Sequence, residues 1–145
     1  MANVIPFSFR GELFTGTHNF ASGGDDFKLA LYTANPYTTS STVYSATNEV
    51  SASGTGYTTT GNTLTGNAVA YATAVASCDF ADTEWTSATI TAAYGAIYNS
   101  TSVDGLANRL VVVLDFSGAK TCTNGTFKIT FPDPTTPGNA ILSMA

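Results

Sequence analysis

Apolar and polar side chains alternate most clearly at two places in this chain. Phe27, Leu29 and Leu31 share one side of residues 27 to 33, and Phe127, Ile129 and Phe131 alternate with Thr126, Lys128 and Thr130. A period of two sends successive side chains to opposite faces, so both segments are predicted strands. Residues 109 to 116 carry the uninterrupted run Leu110-Val111-Val112-Val113-Leu114, the pattern of a strand in mid-sheet with both faces buried. Residues 63 to 76 alternate less cleanly, with Leu64, Val69, Tyr71 and Val75 among Ala and Thr. Side chains that small suggest one sheet packed closely on another. Residues 85 to 91 and 93 to 98 read as two further short strands, and Ala140-Ile141-Leu142 as a last one. Asn124-Gly125 is a strong hairpin signal.

A helical period occurs once. Phe9, Leu13 and Phe14 fall toward one side between Ser8, a suitable N-cap, and Gly16, a suitable stop. Two turns are marginal alone, so the helix must lay its apolar face on the domain or on a neighbouring chain. The Gly23-Gly24 and 99 to 105 regions read as turns, and Pro132, Pro134 and Pro137 break regular structure. Residues 35 to 62 are rich in Thr, Ser, Gly and Asn and interrupted by Pro36. They read as a long surface excursion, with at most short edge strands near Val43-Tyr44 and residues 56 to 59. The expected fold is all-β: an antiparallel β-sandwich or jelly-roll-like barrel, with a short N-terminal helix or arm over residues 1 to 20 and one domain over 21 to 145.

Composition sharpens this picture. Charged residues make up only 10% of the 145 residues, against roughly 25% in an average soluble domain, and Thr and Ser stand in their place. A net charge of −5 argues against nucleic acid and against a charge-led membrane partner. The start Met-Ala-Asn-Val-Ile-Pro lacks a basic segment followed by an apolar one, so synthesis in a cytoplasm is expected. There thiols stay reduced, which favours unpaired Cys78 and Cys122 without excluding a disulfide.

The inventory for chemistry is thin. His18 is the single histidine, so a nucleophile and base would have to be assembled around one residue of the N-terminal segment. Two cysteines and one histidine far apart in sequence make no zinc pattern. Asp79, Asp82 and Glu84 lack the EF-hand spacing and, like Asp25 and Asp26, read as solvated turns. Trp85, Tyr94 and Tyr98 raise a glycan-binding alternative, but they fall in strand patterns where packing explains them. The sequons at Asn99 and Asn124 matter only in a secretory pathway. No enzyme activity and no cofactor are expected.

Several segments resemble, in order and spacing, a family of small virion structural proteins of tailed bacteriophages, over almost the whole chain. They are residues 11 to 20 (GELFTGTHNF), 26 to 32 (DFKLALY), Asn48-Glu49-Val50 leading to residues 54 to 58 (GTGYT), 93 to 99 (AYGAIYN) and 125 to 129 (GTFKI). The resemblance implies a capsid cement or decoration protein, made in the host bacterial cytoplasm and placed on the capsid surface of the virion. There it would bind the major capsid protein lattice, as a homo-oligomer, a dimer or trimer. A tail or fibre module is the alternative. The Ser/Thr tract from Thr38 to Ser53 departs from the family pattern. On this reading the apolar arm embraces a neighbour through Val4, Ile5, Phe7, Phe9, Leu13, Phe14 and Phe20, and removing residues 1 to 20 leaves a folded domain that no longer attaches.

Overall fold

The computed structural model describes residues 3–133 and 140–144; Pro134 and Pro137 lie outside them. One helix, α1 (Phe7–Thr15), precedes seven strands: β1 (Phe27–Tyr32), β2 (Asn62–Thr63), β3 (Ala68–Ala72), β4 (Val75–Asp79), β5 (Thr83–Asn99), β6 (Arg109–Ile129) and β7 (Leu142–Met144). They form two antiparallel sheets, β2-β1-β5-β6 and β3-β4-β7. The architecture is all-β and sandwich-like, and the described strands do not close into a barrel.

In the larger sheet, β1 and β5 pair in unbroken register from Phe27 opposite Asn99 to Tyr32 opposite Tyr94. Alternation then sorts the side chains into two cores. Phe27, Leu29, Leu31 and Ile97 face one, together with Trp85, Ile90 and Phe127. Ala30, Tyr32, Ala96, Tyr98 and Leu110 face the other. This central sheet is therefore apolar on both sides.

The segments read as four short strands are two long ones. Residues 85 to 98 all belong to β5, and β6 runs through both the 109 to 116 run and Asn124-Gly125. A straight strand of 21 residues would span about 70 Å, but the pair bends at register shifts such as those between Trp85 and Ile90 and between Ala92 and Tyr94. Ser87, Ser117 and Asn124 have positive φ near these shifts, as bulges require. The bends bring the outer half of the ribbon back, so that Trp85 and Phe127 bury in the same core as Phe27. Asn124-Gly125 is therefore no hairpin turn. Only Asn124 is left-handed, and Gly125 stays paired with Ala88.

Nor is β6 in mid-sheet; it is an edge. Its first half is buried because other chain segments cap that edge. Val4 and Val113 exchange backbone hydrogen bonds of 2.9 and 2.8 Å, Leu110 N–H donates to the Thr42 carbonyl, and Tyr44 N–H to that of Asn108.

The excursion runs over the surface for most of its length, as expected, but is anchored inward at a few points. Val43 makes a single bridge to Arg109 and Glu49 one to Tyr32, and the pairing expected at residues 56 to 59 falls instead at β2. Tyr37, Val50 and Tyr57 are buried. Gly61 fixes the close approach of this segment to β1, since a Cβ there would lie 1.9 Å from the Leu29 carbonyl oxygen.

In the smaller sheet β3 and β4 form a tight hairpin whose two turn residues, Thr73 and Ala74, have φ of 49° and 64°. Consecutive left-handed residues are the type I′ arrangement that Asn-Gly adopts freely and β-branched Thr resists. The double variant Thr73→Asn/Ala74→Gly should raise stability by about 1 kcal/mol, read as a higher urea midpoint with an unchanged slope.

Candidate interaction surfaces and the buried polar networks

The helix forms where expected but is held differently. Pro6 is its N-cap and gives no side-chain cap bond; Gly16, at φ 71°, is the left-handed C-cap. Ser8 Oγ instead donates to the Ser41 carbonyl at 3.4 Å. The buried stripe is Phe9, Glu12 and Leu13, spaced i, i+3 and i+4, while Phe14 lies about 140° around the helix from Phe9 and is 94% exposed.

Glu12 is buried because it is fully partnered. Its Oε1 accepts from Arg109 Nη2 and from Arg109 Nε, the latter at 2.7 Å, and its Oε2 meets His18 Nε2 at 2.8 Å. The tautomer of His18 follows from its neighbours. Thr101 N–H donates to Asn99 Oδ1 at 3.0 Å, which turns the Asn99 amide nitrogen toward Asp25 Oδ2 (2.8 Å) and His18 Nδ1 (3.1 Å). An N–H pointing at Nδ1 makes that nitrogen the acceptor, so the proton sits on Nε2 and goes to Glu12. The ring is fully buried among Phe9, Phe20 and Phe27. Both nitrogens of the one histidine are thus engaged. Asp25, read from sequence as a solvated turn, anchors this network and also accepts from Asn19 N–H at 2.8 Å.

A second network centres on Glu49. Its Oε1 accepts from the Tyr57 hydroxyl and from Thr60 N–H, each at 2.7 Å, and its Oε2 from the Tyr44 hydroxyl at 2.6 Å. Tyr57 Oη in turn accepts from Leu31 N–H at 3.1 Å, tying the excursion to β1. Tyr98 donates to the Thr60 carbonyl at 2.7 Å, and the Tyr32 and Tyr37 hydroxyls share a bond of the same length beside Ser45. Burial raises the pKa of all five phenols, Tyr98 to about 12, and the Glu49 carboxylate adds to the effect at Tyr44 and Tyr57.

The remaining candidate groups are placed as follows. Cys78 and Cys122 are free thiols; burial and then the Asp79 charge push the Cys78 pKa up to about 12. Asp82 belongs to a surface pair with Lys128 at 3.0 Å, which lowers its pKa. Among the described residues, no group of three or more His, Cys, Asp or Glu is arranged to hold a metal ion. No described helix is long and apolar enough to cross a membrane. Trp85 packs on Tyr57 and Phe127.

Of the seven arm residues read as a contact surface, Phe9 and Phe20 lie in the domain's own core, with Leu13 packed against it and Val4 against the second core. Ile5, Phe7 and Phe14 remain exposed, at 41%, 60% and 94%. Two open surfaces among the described residues bear on docking. One is an apolar cleft of about 260 Å³ between α1 and the smaller sheet, lined in part by Ile5, Leu13, Val69 and Met144. The other lies along the outer half of β6, where a trough of about 410 Å³ includes Phe116, Phe127 and Ile129 with Lys120 and Lys128. Comparison with protein-family models, curated proteins and solved structures returns no match to this chain.

Two expectations follow from the networks. Removing residues 1–20 removes Phe9, Glu12 and Phe20 together, so the truncated chain should fail to fold cooperatively; Glu12→Ala alone, which strands Arg109 and the His18 N–H, should cost about 3 kcal/mol in urea unfolding. The raised phenol pKa values set a pH dependence. Above pH 10 the unfolded tyrosines lose protons that the folded ones keep, so stability is full below that pH and falls as pH rises through 10 toward 12. Urea midpoints measured from pH 8 to 11 should decline once pH 10 is passed, and a flat profile would contradict the network.

Proposed function

We propose that this chain is a non-enzymatic structural protein of a tailed-bacteriophage virion, a cement or decoration protein that binds the outside of the head and ties the major capsid protein lattice together. Support comes first from the ordered segments shared in pattern with such proteins. The geometry adds one observation that carries the reading. The side chains suited to chemistry, His18, Glu12, Glu49 and the five tyrosines grouped around Glu49, are turned inward and engaged in hydrogen bonds. What faces outward on the ribbon is a Thr-rich surface, including the Thr91–Thr121 pair at 3.0 Å, beside the edge of β6.

The outer half of that edge, beyond the part capped by Val4 and Thr42, has no strand partner among the described residues, and such an edge is a ready site for an added strand. The trough beside it supplies apolar seats together with Lys120 and with Lys128, the latter already in a surface pair with Asp82, in a molecule whose net charge is −5. An extended segment of the capsid protein carrying acidic residues suits that combination. Each such contact is modest, but many copies on a repeating lattice add up.

Particles stripped of this protein and re-incubated with it should recover hundreds of copies on the head by quantitative gel analysis and cryo-electron microscopy. Lys120→Glu/Lys128→Glu should lower occupancy at least about tenfold while the fold is kept. Absence from purified virions, or a handful of copies confined to the tail, would end the cement reading.

A further inference from the structure

Among the described residues, six of the eight exposed large apolar side chains gather about one cleft; Val43 and Leu106 are the two that do not. Leu13 and Arg10 line the cleft beside α1, Phe14 follows Leu13 in the helix, and the Arg10 guanidinium sits 4.7 Å over the Phe7 ring. Across the cleft, Val69 and Met144 line its other side, and Met144 also borders the hollow that contains Tyr71. Phe14 is 94% exposed, Tyr71 81%, Met144 62%, Phe7 60%, Ile5 41% and Val69 40%. With a whole aromatic side chain at roughly 200 Å², this face presents on the order of 600 Å² of apolar surface. That is at the upper end for the largest patch of a monomer and most of the roughly 800 Å² each partner gives to a stable interface.

We propose that this face is where a second copy of the chain docks, with Phe14 of each copy seated in the apolar cleft of the other. Three observations select a second copy. The face carries both a projecting ring and an empty apolar recess, side by side on one helix, so a twofold axis lets each copy supply what the other lacks. The recess is large enough, since a cavity of roughly 150 Å³ already accepts benzene and this cleft has about 260 Å³. Charge permits it as well. Two chains of net −5 repel wherever acids meet, but among the described residues Arg10 is the only charged one lining the cleft, and the acid of the same helix, Glu12, is turned inward to Arg109 and His18.

This inference concerns the purified chain and does not depend on the virion reading, so the two can fail separately. Sedimentation velocity from micromolar to submillimolar concentration should show a monomer–dimer equilibrium. Phe14→Asp, at a position with no share in the core, should weaken the dimer about thirtyfold or more while leaving the circular dichroism spectrum and urea midpoint unchanged. Met144→Asp, on the recess side, should act alike, whereas Thr91→Asp on the ribbon should leave the dimer intact. Mixing the Phe14→Asp chain with a Met144→Lys chain, itself a poor self-associator, should restore a heterodimer, because one intact ring then meets one intact recess and the altered seat brings opposite charges together. A wild-type chain that stays monomeric throughout, a dimer indifferent to both variants, or no recovery on mixing would overturn the proposal.

Discussion

The structure is organised by a sheet that is apolar on both faces and must therefore be covered twice. One cover is conventional: α1, the smaller sheet and the folded-back ribbon close over Phe27, Leu29 and Leu31. Among the described residues, no sheet or helix closes the second face. Residues 37 to 50, which lack regular structure, do so instead, and irregular chain carries backbone groups that must find partners when buried. Tyrosine meets that need because its ring fills the core and its hydroxyl answers a carbonyl, a carboxylate or an N–H. Glu49 gathers three such bonds at one place, which lets a loop serve as a packing layer.

How much of this could be read from the residues depends on where period two survives. It survives in β1, which runs from Phe27 to Tyr32 as expected. In β5 and β6 each bulge resets the alternation, so continuous strands look like separate short ones and an Asn-Gly step inside a strand looks like its end. The central position expected for residues 109 to 116 followed from their burial, but caps on an edge bury a strand just as well. The excursion looked exposed throughout because its buried residues are amphipathic and sit among Thr and Ser.

The candidate surfaces were legible to the same degree. The arm's apolar bulk was evident, but Glu12 occupies the centre of its buried stripe, and a carboxylate there gives no sign of burial until Arg109 and His18 are placed beside it. Once Glu12 counts as an inward position, Phe14 falls outside the stripe. Nothing in local sequence could pair Asn99 with Asp25 or Glu12 with Arg109, since those partners stand 74 and 97 positions apart.

Those separations bear on the order of assembly. Val4 bonds to Val113, and α1 is fixed by a residue of β6, so this segment, translated roughly a hundred residues before its partners, has no seat until β6 has been made. Loops this long close slowly. While the nascent chain waits, Phe9 and Phe20 stand uncovered beside the helix residues that stay exposed in the finished molecule, so an apolar surface leaves the ribosome well before anything can shelter it.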